Sequence, residues 1–461
     1  MYNNRGITKL QGILIAALVT AAAIGGGYYY YFIASVQPEG VTLEFWYPYT
    51  RDPAVRARDI VIEAFQKEYP HVKFDNVVTP HVPFAELKAA ALTDTMPDLM
   101  CINEGMIADF AWANALTPVT EIINKYKSEF APHFIEQVFV NNEYYAVPWF
   151  GNVDGLWYRK DWFENPANKI AFETEYGYGL KAPETWQEFI DVAQFFTRDT
   201  NQDGTPDVYG FAAGMAGTHG YFFLMDAIAG NRPINVWDSS GEYAFDTERT
   251  RDALEFAAAL GPYTYQGSVT TSLIDMRGVW ATGGMIAMIP DRFDLMTVIE
   301  MLPVQNRSNY AMVPFPGKYK ETPAVSNVVM SLAVGKGKHP EMAKKFLEMW
   351  MSYPMILDSW KVSEYGWSPV MYNVANNSEY WDPHPYEAAF RPINDLHLTS
   401  SYRLGQDIIA GKGPNPWNSA VRGELVYTKL ITRIMFDEWS VDDALIAFAD
   451  AVQTIMDKTP V

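Results

Sequence analysis

The sequence predicts an α/β protein with two lobes, preceded by a separate apolar N-terminal helix. Three observations support this fold class. The chain has 461 residues, which is too long for one ordinary hydrophobic core. Apolar residues make up 49% of it, so we expect a packed globular body. Strand-like and helix-like patterns alternate from residue 41 to residue 102, which is typical of a doubly wound α/β lobe.

The first lobe begins with a strand at 41–50, where apolar side chains alternate with Thr42 and Glu44. A helix follows and must end at Tyr69-Pro70, because proline cannot continue it. The remaining patterns predict, in order, a strand at 72–78, a helix at 84–94 and a buried strand at 98–102.

The second region contains longer helices. The segment 183–199 places Phe189, Val192, Ala193 and Phe196 on one helical face. The other patterns predict helices at 250–261, at 339–352 and over most of 417–458, and strands at 285–289, 311–316 and 328–334.

Residues 1–40 are a separate signal or anchor segment. The stretch from Gly12 to Ala34 carries no charge and is long enough for one bilayer crossing, and Arg5 and Lys9 precede it. Three interpretations stay open: a cleaved secretory signal, an uncleaved signal anchor, and a class III signal that resembles the type IV pilin-like signals of archaea. The charges place the body outside the cell, and an uncleaved helix anchors it to the cytoplasmic membrane.

The overall charge and the single cysteine exclude several classes of function. The net charge is −20, so the body repels phosphate backbones and nucleic acid is not expected as a partner. Cys101 is the one cysteine, so no disulfide within the chain is possible, and we expect it to be buried. The chain has 14 Trp, 28 Tyr and 26 Phe, a composition that suits stacking on the flat faces of a ligand.

Several segments resemble, in order and spacing, the family 1 extracellular solute-binding proteins, the maltose-binding-like receptors of ABC importers. The likeness spans about 41 to 455. The segments are AFQKEYPHVKF (64–74), MPDLMC (96–101), EYYAVPWFGNVDGLWYRKDWF (143–163), PETWQEF (183–189), GGMIAMI (283–289) and MAKKFLEMW (342–350).

The resemblance implies a periplasmic-binding-protein-like fold with a hinge. It places lobe one at 41–150 plus 315–372 and lobe two at 153–312 plus 375–461. The chain would cross the hinge near 148–153, near 313–316 and near 370–375. The resemblance also implies capture of a sugar or oligosaccharide by lobe closure, with the permease subunits of an ABC transporter as partners.

Candidate ligand-binding residues follow the ends of predicted strands or lie at the implied hinge. They are Trp46, Tyr47, Asn103, Glu104, Trp149, Asn152, Asp154, Asp291, Arg292, Trp367 and Trp417. The last four rest on positions where the family places ligand contacts. Packing is the alternative for the aromatic residues and Asp154, and capping of the next helix for Asn103 and Glu104. Trp186, Trp280 and the Met-rich segments are expected in cores.

The loop DTNQDGTPDVYG (199–210) is a candidate calcium site. Asp199, Asn201, Asp203, Thr205 and Asp207 fall at ligand positions of an EF-hand-like frame. The bidentate Glu of that frame is replaced by glycine, so the alternative is a polar Asx turn after a helix.

A secreted glycoside hydrolase is the alternative function. Such an enzyme needs two carboxylates on opposite sides of the scissile bond, and no paired motif of that kind is recognisable. Motifs of Ser hydrolases, zinc proteases and P-loop enzymes are also absent from the sequence. The sequence therefore favours a binding protein over an enzyme.

Overall fold

A computed structural model describes residues 40–79, 83–232, 234–323, 325–363, 366–384, 386–400, 404–405 and 407–458. The three interpretations of the N-terminal segment concern residues that lie, apart from Gly40, outside these ranges. Within them, no helix is long and apolar enough to cross a membrane.

The described residues form strands and helices in mixed order. The strands are β1 (Val41–Tyr47), β2 (Val72–Val78), β3 (Leu99–Asn103), β4 (Leu116–Thr117), β5 (Phe139–Val140), β6 (Glu143–Tyr144), β7 (Ala146–Arg159), β8 (Tyr209–Phe211), β9 (Ile286–Arg292), β10 (Tyr310–Val313), β11 (Asn327–Gly335), β12 (Ser368–Pro369), β13 (Ile408–Ile409) and β14 (Gly413–Pro414). The α-helices are α1 (Asp52–Glu68), α2 (Phe84–Leu92), α3 (Glu104–Trp112), α4 (Thr120–Tyr126), α5 (Pro132–Glu136), α6 (Lys160–Glu164), α7 (Pro166–Tyr176), α8 (Trp186–Phe196), α9 (Gly220–Ala229), α10 (Glu248–Leu260), α11 (Leu273–Gly283), α12 (Met296–Glu300), α13 (Val304–Arg307), α14 (Pro340–Met351), α15 (Met355–Lys361), α16 (Tyr372–Ala375), α17 (Ser378–Trp381), α18 (Glu387–Ser400), α19 (Asn418–Gly423), α20 (Val426–Phe436) and α21 (Val441–Lys458).

The main sheet is mixed, with the order β2-β1-β3-β11-β7-β9-β8 in the described part of the chain. Strand β1 pairs in parallel with β2 and β3, so the carboxyl ends of these three strands share one edge. Strand β11 then runs antiparallel to β3. Helices connect the parallel strands, as expected for right-handed βαβ crossovers.

Strand β7 joins the two halves of the sheet. Its first part pairs with β11 up to Val153, and its second part pairs with β9 and β10 from Asp154 onward. The strand has burial on both faces along nearly its whole length. Gly151 lets the ring of His397, on α18, pack directly against the strand, because a side chain at this position would clash with that ring. One continuous strand therefore carries the backbone from one half to the other.

Two hydrophobic cores lie on the two sides of this strand. The first core packs around β1, β3 and β11 with α1 and α14, and Cys101 is buried in it. The second core packs around α8, α9, α10, α20 and α21. Trp280 belongs to the first core and Trp186 to the second, which confirms that both are packing residues. The first core also includes residues of α11, α17 and α18.

A buried carboxylate ties the segment 407–416 to the second core. Asp407 Oδ2 accepts hydrogen bonds from the backbone N–H groups of Val236 at 2.7 Å and Trp237 at 3.0 Å. The ring of Trp237 packs against that of Trp417, with 5.7 Å between ring centres. Burial raises the pKa of Asp407 to about 7.

Local sequence explains where the helices near the cavity and the core begin. Thr185 caps α8, accepting from the Glu188 N–H at 3.2 Å. Asn103 caps α3 in the same way, accepting from the Met106 N–H at 3.1 Å. Such caps satisfy backbone donors that have no partner within the helix. The Asn103 cap fixes the direction in which α3 leaves the sheet.

Candidate ligand-binding site

A cavity of about 820 Å³ lies between the two halves of the molecule. One wall comes from α2, α3 and the end of β3, and the opposite wall from Thr218 and the segment 416–424. Two smaller cavities, of about 490 and 560 Å³, each lie within one half. A volume of roughly 300–1,000 Å³ is usual for small-molecule sites, which also favour clefts between domains. The larger cavity is therefore the candidate site.

The wall from the first half is largely apolar. Phe84, Phe110 and Trp112 contribute aromatic rings, and Lys88 contributes a cation. The indole Nε1–H of Trp112 donates to the Pro414 carbonyl oxygen at 3.1 Å, a hydrogen bond between the two halves. An apolar wall with a few polar groups suits a ligand that has both flat C–H faces and hydroxyl groups.

Asp109 is the acidic group of this wall. Its Oδ2 is buried and has no hydrogen-bond partner in the described ranges. Burial raises the pKa of Asp109 to about 7, although the nearby Ser419 hydroxyl and the cations Arg422 and Lys88 act in the opposite direction. Near neutral pH the carboxyl group can therefore accept or donate a hydrogen bond.

Arg422 is the basic group of the opposite wall. Its guanidinium carbon lies 4.3 Å from the centre of the Tyr221 ring and 5.6 Å from that of Phe222. Both rings belong to α9. Burial lowers the pKa of Arg422. The side chain is thus held in place by stacking on aromatic rings, an interaction that leaves the in-plane N–H donors available.

A buried polar cluster lies beside β7, where the chain passes between the halves. The Ser326 hydroxyl contacts both Asp154 Oδ2, at 3.1 Å, and Asp226 Oδ1. One hydroxyl proton can serve only one of these carboxyl groups, so the other must carry a proton. Arg292 lies 3.4 Å from Asp154 and favours the ionised form there. Burial and the neighbouring Asp154 raise the pKa of Asp226 well above its usual range, so Asp226 holds the proton.

A second ion pair lies next to this cluster. Arg277 donates to both oxygens of Asp291, at 2.7–3.1 Å, and to Asp294. Burial of Asp154 raises its pKa to about 7, with Arg292 acting against the shift. Of the candidate residues, the structure therefore brings Asp154, Asp291 and Arg292 together.

Three aromatic candidates lie together in the first core. The ring centres of Tyr47 and Trp149 are 5.9 Å apart, and those of Trp149 and Trp367 are 5.1 Å apart. All three side chains are at most 2% exposed. They do not line the larger cavity, and their positions in the first core agree with the packing alternative. Ligand contact by these rings stays a prediction.

The other candidates are dispersed. Trp46 is half-buried on the opposite face of β1 and donates to Glu44 Oε1 at 2.7 Å. Glu104 is buried at the start of α3, and Asn152 is buried on β7. Trp417 packs in the second core directly beside the cavity. Asn103 lines the cavity in addition to capping α3.

Sequence reasoning missed the polar residues of the cavity walls, in particular Lys88, Asp109, Ser419 and Arg422. Asp109 and Ser419 stand close to candidates that were named, Asn103 and Trp417. The signal available was the position of ADFAW (108–112) on the helix after β3, and of SAVRG (419–423) after PNPW. Neither pattern has a distinctive motif.

The loop 199–207 forms a network of Asx-type hydrogen bonds. Asp199 accepts from the N–H groups of Asp203 and Gly204, at 3.2 and 2.7 Å, and Asp207 accepts from Thr200. Asp203 in turn accepts from the Thr205 N–H at 2.9 Å. In the described ranges, no three His, Cys, Asp or Glu side chains are grouped so that they could hold a metal ion. These contacts suit a polar turn, and calcium binding stays a prediction.

Comparison with known proteins identifies a family and several relatives. The family described as "Bacterial extracellular solute-binding protein" matches residues 51–353. A multiple sugar-binding protein of Streptococcus mutans is 28% identical over 29% of this chain and 29% of its own length. An uncharacterised ABC transporter extracellular-binding protein of Pyrococcus horikoshii is 24% identical over 66% of each chain. The matches thus span less than two thirds of these relatives.

Solved structures show the same fold. Maltose-bound MalE3 of T. maritima superposes with a TM-score of 0.67, covering 90% of this chain and all of the other at 19% identity. This similarity confirms the two-lobed α/β fold predicted from the sequence. Since the family match covers well over half of the residues, the chain belongs to the bacterial extracellular solute-binding proteins.

Proposed function

We propose that this protein is the substrate-binding component of an ABC importer and captures a sugar or oligosaccharide in the cavity between its lobes. The observation that carries the proposal is that both halves supply walls to one cavity of about 820 Å³. A ligand that contacts both walls favours the closed arrangement over the open one by its differential affinity. The names of the relatives, a sugar-binding protein and an ABC transporter binding protein, support this ligand class and partner.

The chemistry of the walls supports a saccharide. Phe84, Phe110 and Trp112 offer faces on which sugar C–H groups stack, while Asn103 and Ser419 offer hydrogen-bonding groups. A micromolar Kd corresponds to about −8 kcal/mol, which a few stacked rings and about six net hydrogen bonds supply. The proposed activity is binding and not hydrolysis, so we expect the ligand to leave chemically unchanged.

We further propose that the body lies on the outer side of the cytoplasmic membrane, held there by residues 12–34. The support is that this stretch carries no charge and that Arg5 and Lys9 stand before it. An N-terminus at Ile7, found by mass spectrometry of the mature protein, would select the archaeal class III signal. The lobe boundaries at 150–153, 312–315 and 372–375 are part of the same proposal.

The experiment that tests the function is a thermal-shift panel of mono- and oligosaccharides, followed by chromatography of the recovered ligand. A ligand at about 100 times its Kd stabilises the folded protein by about 2.7 kcal/mol, so a binding sugar raises the melting temperature. We expect a saturable rise and recovery of intact ligand. Cleaved products would establish the glycoside hydrolase alternative instead.

A matched pair of substitutions tests the location of the site. Ala420 is exposed and lines the 820 Å³ cavity, whereas Ala447 lines the 490 Å³ cavity. We expect Ala420→Trp to fill the site and abolish the ligand-induced shift, and Ala447→Trp to leave it unchanged. The same loss in both variants, or in neither, would place the site elsewhere.

A further inference from the structure

Arg422 lies in the wall of the cavity and forms no ion pair within the part of the chain that the structure describes. In the described ranges, no carboxylate oxygen lies within 4.0 Å of its guanidinium group, and the group donates no hydrogen bond. Its contacts are with the faces of Tyr221 and Phe222. A partly desolvated charge without a partner is unfavourable until an acceptor reaches it. The N–H donors of Arg422 are therefore available to a hydrogen-bond acceptor on the ligand.

Several cations lie near Arg422, although the chain as a whole has a net charge of −20. The guanidinium of Arg292 lies 4.4 Å from the centre of the same Phe222 ring. Burial lowers the pKa of His219, beside the cavity residue Thr218, and the positive charges of Arg292, Arg422 and Arg277 lower it further. Lys88 adds a cation on the opposite wall.

Arg292 is paired with Asp154, and Arg277 is paired with Asp291 and Asp294. The cations of the cavity wall that form no ion pair within the described part of the chain are therefore Arg422 and Lys88. The acidic groups that line the cavity are Asp109 and Glu424. Asp109 has a pKa raised to about 7 by burial, so near neutral pH a large fraction of it is uncharged. Glu424 stands exposed at the rim, where water screens its charge. The cavity therefore has room for one additional negative charge close to Arg422.

We propose that the ligand of this cavity is an acidic saccharide, and that Arg422 binds the carboxylate of a uronic-acid residue. The planar guanidinium matches a carboxylate through two parallel N–H···O bonds. A phosphate would bring up to two negative charges, more than the one guanidinium of Arg422 neutralises, so the singly charged group fits better. The proposal rests on the proposed function, because it specifies the substrate class of the same site.

The test compares charged and neutral ligands of the same shape by isothermal titration calorimetry. The probes are galacturonate, glucuronate and their disaccharides, each paired with its neutral counterpart, with glucose 6-phosphate as the phosphate arm. Hydrogen bonds to charged groups contribute more than neutral ones, so we expect a preference for the uronate of about 10- to 100-fold, decreasing with added salt.

Three variants locate the effect. Arg422→Gln should abolish the preference for the uronate while the weaker binding of the neutral sugar persists. Arg422→Lys keeps the charge without the planar group and should retain part of the preference. Lys344→Gln, in the 560 Å³ cavity, should behave as wild type.

Each outcome decides between the two proposals. Equal or tighter binding of the neutral sugar, or a preference for the phosphate, overturns the acidic ligand and leaves the sugar-binding function standing. Binding of no saccharide of either kind removes both. If Arg422→Gln does not fold, the wild-type comparison of uronate with neutral sugar still decides the question.

Discussion

Replacing Arg277 with Met should destabilise the protein strongly, because it leaves two buried carboxylates without a counter-ion. The Arg277 side chain is 6% exposed, and those of Asp291 and Asp294 are 0% and 16% exposed. Breaking a buried ion pair by removing one partner typically costs about 3–5 kcal/mol. Methionine fills a similar volume, so the loss reports mainly the stranded charges and not a cavity.

The chain contains a matched control for this substitution. Arg251 also pairs with two aspartates, Asp246 and Asp442, but on the surface, with side-chain exposures of 38%, 44% and 71%. Exposed pairs contribute about 0–1 kcal/mol each. Arg251→Met removes the same chemical groups, so the difference between the two variants isolates the effect of burial.

The assay is differential scanning calorimetry of both variants beside the wild type. For domains of about 150–250 residues, 1 kcal/mol shifts the melting temperature by about 2–4 °C, so Arg277→Met should melt on the order of 10 °C lower. Adding Asp291→Asn to Arg277→Met removes one stranded charge and should restore part of the loss. Similar small shifts for Arg277→Met and Arg251→Met would refute the reasoning.

Four further predictions concern other parts of the molecule. Burial raises the pKa of Asp407 to about 7 from an unfolded value near 3.9, so its contribution to stability is complete below about pH 4 and is lost as the pH rises through 7. Asp407→Asn should remove this pH-dependent loss, which amounts to up to about 4 kcal/mol. The check is urea unfolding from pH 4 to pH 8, and the same pH profile for Asp407→Asn and wild type would contradict the prediction. Trp112→Phe removes the hydrogen bond to Pro414 between the halves, which is worth about 1 kcal/mol. Fluorescence titration should therefore show roughly five-fold weaker ligand binding, and an unchanged Kd would argue against closure through this contact. Asn103→Ala should cost about 1 kcal/mol of stability through the lost cap while Asn103→Ser costs less, and equal losses in thermal melts would show that the cap is unimportant. If the loop 199–207 binds calcium, EDTA should lower the melting temperature and added calcium restore it; an EDTA-insensitive melting temperature leaves the hydrogen-bonded polar turn as the structure of this loop.

Much of the secondary structure could be predicted because local patterns determine it. The strand at 72–78 has the bounds of β2, and the helix predicted to end at Tyr69-Pro70 is α1, which ends at Glu68. Alternation of apolar residues identified β1, and helical spacing identified α8. The predicted helix at 84–94 is too long, since α2 ends at Leu92 with Thr93 as its cap.

The arrangement of the halves was less accessible, because it depends on contacts distant in sequence. That β7 pairs with β11 on one part and β9 on the other cannot be read from the run AVPWFGNVDGLWYR, which is largely apolar. The resemblance to a family supplied the crossing near 148–153. No local pattern indicated which residues of α18 pack in the first core.

For the candidate site too, local features could be predicted from the sequence and contacts distant in sequence could not. Asn103, which ends β3 and lines the cavity, could be named because the carboxyl edge of a sheet is a general location for ligands. Arg422 and Asp109 could not, because each lies on a helix whose facing partner in the cavity is far away in the sequence. The sequence could not separate packing tryptophans from ligand-binding ones, since burial and ligand stacking use the same residue type.

Small-angle X-ray scattering with and without a saturating saccharide tests the central claim most directly. The claim is that a sugar binds between the lobes and stabilises their closed arrangement. We predict that the ligand-free protein has a larger radius of gyration than the liganded protein, and that Ala420→Trp does not respond to the sugar. A saccharide that binds tightly without changing the scattering, and equally well to Ala420→Trp, would contradict the claim.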